Sequence, residues 1–444
     1  MKMNRREFMK STLAAGALAA LKPSAAAPAC VATASSPSTP SSADPAVGKT
    51  WAGWKKGHFQ LHVIYTGVSE AMFLIYPDGT SMLLDCGCFD AINRGKYAVP
   101  VLPNGRRMSG EWVARYIERV NPHKTDVDYL VVSHFHSDHT GCEGFHAGRT
   151  QGRGENYFLS GFAQVAETIR FKKAVDRGWP NYDEPIPLDP ADDESSMGNT
   201  RKLFRYLVRR DGLKVEKAVI GSADQLAPLR DPSACAGFRV LNVCANGKIL
   251  RKDGTIRDLY AEKIARERPR RLNENGMSLG MIVSYGGFKL FTAGDFSDWW
   301  KLPDGTQFDI ETEFAKELPS VDVAHVNHHG YRSTPLALAA ALRPRVWVSA
   351  VWDQLHNTAD SLERMTSREA YPGERLIAPG IFPAERRWED LNRPFVRDIA
   401  PESFAGGHVV LDVPPGGKAY SINYLTADDE SMKVTGVYHF DSRS

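Results

Sequence analysis

Beyond residue 50 the apolar positions fall into two repeating patterns. Extended apolar runs at 59–66, 71–76 and 81–85 predict strands, and Glu111–Val120, with apolar residues three and four apart, predicts an amphipathic helix. A buried-type strand follows at Val127–Ser133. From Tyr157 to Arg210 the pattern turns helical, broken by the acidic, proline-containing stretch Asp183–Glu194, and reads as an insertion. Strands resume at Phe238–Val243, Ser278–Tyr285 and Lys289–Thr292, then alternate with helices as far as His356. After a proline-rich loop, His408–Val413 and Ala419–Leu425 predict a closing hairpin. No repeat of solenoid period is present, and the pattern predicts an α/β fold of mixed sheets with helices outside.

The first 50 residues stand apart. Asn4-Arg5-Arg6-Glu7-Phe8-Met9-Lys10 has the twin-arginine pattern, followed by an Ala-rich apolar run from Thr12 to Leu21 and small residues through Ala29. That run is too short to span a bilayer, which needs about twenty apolar residues. Residues 1–29 are therefore expected to be an export signal read by the twin-arginine translocase, which would deliver a periplasmic or secreted protein without a transmembrane segment. A Ser/Pro/Ala-rich linker, 30–50, leads to one domain over 51–444. Cys30 could carry a lipid anchor, but Ala27-Pro28-Ala29 lacks the leucine such sites use.

Composition narrows the picture little. With 444 residues, 42% hydrophobic and 24% charged, the chain can bury a large core. A net charge of +2 provides no strong field to recruit nucleic acid or an anionic membrane, and the basic run Arg266–Arg271 reads as a solvated surface. No stable nucleic-acid partner is expected. The six cysteines, at 30, 86, 88, 142, 235 and 244, form no C-x-x-C pair, which argues against a thiolate metal site; Cys235 and Cys244 could pair in an oxidising compartment.

The chemistry concentrates in His134-Phe135-His136-Ser137-Asp138-His139. In an extended segment His134 and His136 point the same way and can share one ion, while Asp138 and His139, entering the turn, can serve a second. Imidazole and carboxylate suit Zn²⁺, with Mn²⁺ as the alternative.

This hexad, followed by Thr140-Gly141, resembles the signature of the metallo-β-lactamase-fold hydrolases. Leu83-Leu84-Asp85-Cys86-Gly87 looks like the family's Asp-x-Gly strand end, Phe291-Thr292-Ala293-Gly294-Asp295 like the strand carrying its bridging Asp, and Asp322 to Gly330, with His328-His329, like the segment of its last histidine. The order from Asn275-Gly276-Met277-Ser278 to Gln354-Leu355-His356 resembles the hydrolase domain of ComEC. Departures are His325 and Tyr331, where that branch carries Lys and Ser, and Asn357, where it carries Pro. A further histidine used by many members is absent, since none lies between His146 and His325. The first ion would then have fewer protein ligands, or its place could be filled by water, Asn275 or His325; His325 shares a face with His329 if the strand continues, or could be a core histidine.

The resemblance implies a four-layer αββα sandwich, here with a helical insertion at about 157–210 over the mouth of the site. It implies two divalent ions, one on His134 and His136, the other on Asp138, His139 and His329, with Asp295 bridging and a shared water as nucleophile that Asp138 can orient. Asp85 is expected to serve folding. His328 and His356 are candidates for proton transfer, and Asn275, Ser278 and Arg332 for contacts with substrate. The favoured activity is hydrolysis of a phosphodiester, in a small molecule or at a polymer end. The alternatives are a lactamase or lactonase acting on a cyclic amide or ester, and a non-catalytic binder of DNA or envelope polymer.

Overall fold

The structure, a computed structural model, describes residues 44–141 except 89–97, and 152 and 157–443 except 188–194, 267–271, 303 and 386. The export signal, the linker up to residue 43, Cys30, Cys142 and most of the basic run lie outside the described residues. The end of the expected linker is tied to the domain: Gly48 N donates to Val434 O and Trp51 N to Met432 O, both at 2.9 Å.

Strands β1 (Phe59–Val63), β2 (Ala71–Ile75), β3 (Ser81–Cys86), β4 (Asp126–Val131), β5 (Arg170–Asp176) and β6 (Lys214–Lys217) begin the first sheet. The second contains β7 (Phe238–Ala245), β8 (Lys248–Leu250), β9 (Ile256–Asp258), β10 (Gly280–Tyr285) and β11 (Phe288–Thr292). After a small ribbon of β12 (Trp299–Lys301) and β13 (Gln307–Asp309), it adds β14 (Val323–His325), β15 (Val346–Ser349) and β16 (Leu376–Pro379). The chain then returns to the first sheet with β17 (His408–Val413), β18 (Ala419–Leu425) and β19 (Val434–Asp441). The orders are β19-β18-β17-β1-β2-β3-β4-β5-β6 and β16-β15-β14-β11-β10-β7-β8-β9. Each sheet is part antiparallel meander, part parallel strands joined by long crossovers.

Period-two alternation builds the layers. In β2, Met72 and Leu74 face the second sheet in a core with Met281, Val283, Leu290 and Val346, while Phe73 and Ile75 face outward. Helix α1 (Ser109–Val120) covers that outer side with Val113, Tyr116, Ile117 and Val120. At about 1.5–3 kcal/mol for each large side chain buried, this face, rather than helix propensity, holds α1 in place. Short helices α2 (Ser137–Thr140) and α3 (Phe162–Val165) precede α4 (Ser196–Asp211) on the same side. After α5 (Leu259–Arg266), the helices α6 (Ile310–Ala315), α7 (Leu336–Leu342) and α8 (Ala359–Met365) pack on the far side of the second sheet against Phe291, Ala324 and Trp347. The layers are those of the expected αββα sandwich.

Three readings need correction. Residues 157–210 are helical only in α3 and α4; between them β5 pairs in parallel with both β4 and β6. Its buried residues, Ala174 under the helices and Val175 between the sheets, are masked in the sequence by Arg170, Lys172 and Lys173, of which Lys172 pairs with Asp128 of β4 and Lys173 with Glu216 of β6. The closing hairpin gains a third strand, β19, paired along β18. Cys235 and Cys244 are both buried free thiols.

Candidate metal centre

The hexad begins at the C-terminal end of β4 and turns into α2. Asp295 follows β11 through Gly294, whose φ is +51° and whose position lies so near Ser133 that any Cβ there would stand 2.5 Å from its Oγ, so only glycine fits. Gly87, after β3, likewise faces the backbone of Asp138 with no space for a side chain. The second sheet supplies the Asn327–Gly330 turn after β14, in which His328 and His329 have φ of 48° and 50°. The strand therefore ends before these histidines, and His325 and His329 do not share a face as a continued strand would require.

Two sets of donors converge on Asp295. His134 Nε2 lies 3.1 Å from His136 Nδ1 and 3.6 Å from Asp295 Oδ2. On the other side, Asp295 Oδ1 faces His139 Nε2 at 3.1 Å and His329 Nε2 at 3.6 Å. Asp138 Oδ2 is 2.9 Å from His329 Nε2 and 3.5 Å from His139 Nε2. Ligands about 2.1 Å from a tetrahedral ion stand about 3.4 Å apart, so these spacings suit an ion in each set. His134, His136 and Asp295 could hold one; His139, His329 and Asp295, with Glu70 nearby, could hold another.

The polar atoms themselves favour this fit. His139 Nε2 and Asp295 Oδ1 are buried without a hydrogen-bond partner, an expensive state that a cation would relieve. Burial alone would lower the pKa of His139, but Asp295, Asp138 and Glu70 outweigh it and hold the imidazole well above its usual range. Burial would raise Asp295, yet His139, His329 and His328 keep its carboxyl well below the ordinary value. The site is thus a set of buried carboxylates that draws positive charge.

Asp85, expected to serve folding, stands against the centre. At φ 57° it closes β3, accepts hydrogen bonds from Ser133 N at 2.7 Å and Ser133 Oγ at 2.5 Å, and lies 2.9 Å from His139 Nδ1. Held through Nδ1, the His139 ring directs its Nε2 towards Asp295.

The other candidates separate by depth. His328 keeps a quarter of its side chain exposed beside Asp295 Oδ2 at 3.9 Å; the Asn275 amide donates to its Nε2 at 3.2 Å, and its Nδ1 is 3.4 Å from Ser297 Oγ. His356 is buried, stacked on His329 with ring centroids 4.5 Å apart, and its Nδ1 accepts from Trp352 N at 3.4 Å, so it forms wall rather than mouth. Ser278 is fully buried in the layer under Gly294, out of reach of an incoming substrate, which corrects its assignment. Arg332 is exposed on the rim, its guanidinium 5.2 Å from the Tyr331 ring, which meets His328 edge-on at 5.8 Å. His325 does not fill in for the absent histidine of the first set: it is fully buried on the other side, its Nε2 3.6 Å from Glu70 Oε1.

Two residues escape a reading of the sequence. Trp352 donates from Nε1 to Asp138 Oδ2 at 3.1 Å. Glu70, fully buried, sits with Oε2 3.3 Å from His329 Nδ1. A signal for Glu70 existed, because it is the sole charged residue between Val63 and Pro77.

Comparisons with known proteins match two parts of the chain. Residues 65–142 match the family described as Metallo-beta-lactamase superfamily, a span holding Glu70, Asp85 and the whole hexad. Residues 2–22 match the TAT (twin-arginine translocation) pathway signal sequence. No curated protein matches the chain. The two sheets with their flanking helices are the architecture of the metallo-β-lactamase fold. Among the described residues no helix is long and apolar enough to cross a membrane.

Proposed function

We propose that this chain is an exported metallohydrolase that uses two divalent ions, Zn²⁺ or Mn²⁺, to cleave phosphodiesters. The carrying observation is that Asp295 offers one carboxylate oxygen to each of two donor sets, Oδ2 towards His134 and Oδ1 towards His139 and His329. A phosphodiester is an anion whose transition state concentrates charge on oxygen, so a doubly cationic site favours it over a neutral lactam or lactone. The ComEC-like order of Asn275, Asp295, His329 and His356 supports the same substrate class.

Bound here, the ions would acidify water and offset charge on the phosphoryl oxygens. The protein's part is orientation. Asp138, fixed by Trp352 Nε1 and beside His329, is suited to align the attacking water. His328, partly exposed and steadied by Asn275, is suited to meet the leaving-group oxygen. Arg332 on the rim would draw the anion in without touching the reacting atoms.

The test is hydrolysis of bis-(p-nitrophenyl) phosphate beside nitrocefin and a homoserine lactone. Metal-dependent cleavage of the diester, abolished by chelator, restored by Zn²⁺ or Mn²⁺ and exceeding turnover of the other two, is expected. Ready opening of the lactam or lactone with the diester untouched would replace this reading.

A further inference from the structure

Glu70 is held towards the site by its own backbone. Its N–H donates to Asp138 O at 3.0 Å and its carbonyl accepts from Gly87 N at 3.0 Å, so both sides of the residue are tied to segments that carry donors. Its neighbour Ala71 pairs with Cys86, next to Asp85, so the two carboxylates enter the site from adjacent strand ends. The Glu70 side chain is completely buried, and neither carboxylate oxygen has a hydrogen-bond partner of good geometry. Such a group is costly unless nearby cations or donors compensate it.

Two imidazoles stand next to it. Oε2 lies 3.3 Å from His329 Nδ1 and Oε1 lies 3.6 Å from His325 Nε2. His329 Nδ1 is also 3.1 Å from the Ala350 carbonyl, an acceptor that requires the proton to sit on Nδ1. With the proton on Nδ1, Nε2 can act as a ligand for an ion beside Asp138 Oδ2 and Asp295 Oδ1, which stand 2.9 and 3.6 Å from it. Asp85 stands in the same relation to His139, 2.9 Å from Nδ1 while Nε2 faces Asp295.

We infer that Glu70 is a positioning residue for the ion on the His139–His329 side, fixing the tautomer and angle of His329 through Nδ1, with His325 as the partner that anchors its other oxygen. This inference rests on the dinuclear reading above. It differs from direct ligation: of the two His329 nitrogens, Glu70 approaches the one pointing away from Asp295.

The experiment is a Zn²⁺ titration of chelator-stripped full-length mature protein against a chromophoric competitor, repeated with Co²⁺ to read the d–d spectrum. Glu70→Gln retains a side-chain acceptor beside Nδ1–H, whereas Glu70→Ala leaves the Ala350 carbonyl alone to hold it. The expected result is a graded loss confined to one of the two binding steps. The Ala variant should be about 10–100-fold weaker there, the Gln variant should lie between it and wild type, and the Co²⁺ band of that step should change. His325→Gln carries the test if the Glu70 variants do not fold, and should weaken the same step by several-fold. Wild-type affinities and spectra in the variants, or a thermal shift without a step-selective change, would overturn the inference. Loss of that ion altogether in both Glu70 variants would overturn it in favour of direct ligation. Failure of the wild-type protein to take up a second ion would instead remove the dinuclear reading on which it rests.

Discussion

His139 Nε2 and Asp295 Oδ1 lie 3.1 Å apart inside the protein, and neither has a hydrogen-bond partner. Both are buried polar atoms whose cost a cation beside them would offset, and the imidazoles of His134 and His329 stand 3.6 Å from the Asp295 oxygens.

Asp85→Asn is expected to disturb the metal centre rather than the fold. Asparagine tolerates the positive φ of 57° and can still accept from Ser133, but it no longer presents a carboxylate to His139 Nδ1. Ion affinity at the His139 side should fall about 10–100-fold with the melting temperature little changed. Calorimetric metal titration beside a thermal melt separates the two effects, and a melting loss with unaltered affinity would return Asp85 to a structural role.

His62 predicts acid sensitivity. Its Nδ1 is 3.0 Å from the Tyr116 hydroxyl and its Nε2 3.1 Å from Gln60 Oε1, a fully buried neutral imidazole whose pKa burial pushes down to about 3. The unfolded chain takes up this proton below its ordinary pKa of about 6.5 while the folded chain does not, so stability is lost as pH falls from there towards about 3. The slope from this one group is roughly 1.4 kcal/mol per pH unit. His408 behaves alike, also with a pKa lowered to about 3. Urea midpoints between pH 6 and 4 should fall less steeply in His62→Gln than in wild type, by about one proton; parallel curves would refute the assignment.

Export should depend on the arginine pair. Changing Arg5 and Arg6 to lysine is expected to trap precursor in the cytoplasm, as the match over residues 2–22 implies. Cell fractionation decides it, and undiminished export of the double variant would count against the signal.

What could be read from the sequence, and what could not, follows from how local each feature is. The strands at 59–66, 71–76 and 81–85 and helix α1 announce themselves by period, and the hexad by packing its donors into six residues. Strand β5 was hidden because a strand near the sheet edge can carry Arg170, Lys172 and Lys173 without cost, which mimics a helical surface. The site misreadings share another cause. Whether His325 reaches Asp295 or Glu70 depends on where β14 stops, and the left-handed turn at His328 and His329 has no glycine until position 330 to mark it. Glu70 and Ser278 are both fully buried, and where each points comes from the packing of two sheets and not from spacing along the chain.

The most direct measurement is elemental analysis of the purified mature protein beside its Asp295→Asn variant. Because one Asp295 oxygen faces each donor set, wild type should hold close to two equivalents of divalent metal, and the variant should lose occupancy of both sites together with diesterase activity. Full loading of the variant with two ions, or a wild-type protein that binds no metal at all, would contradict the account.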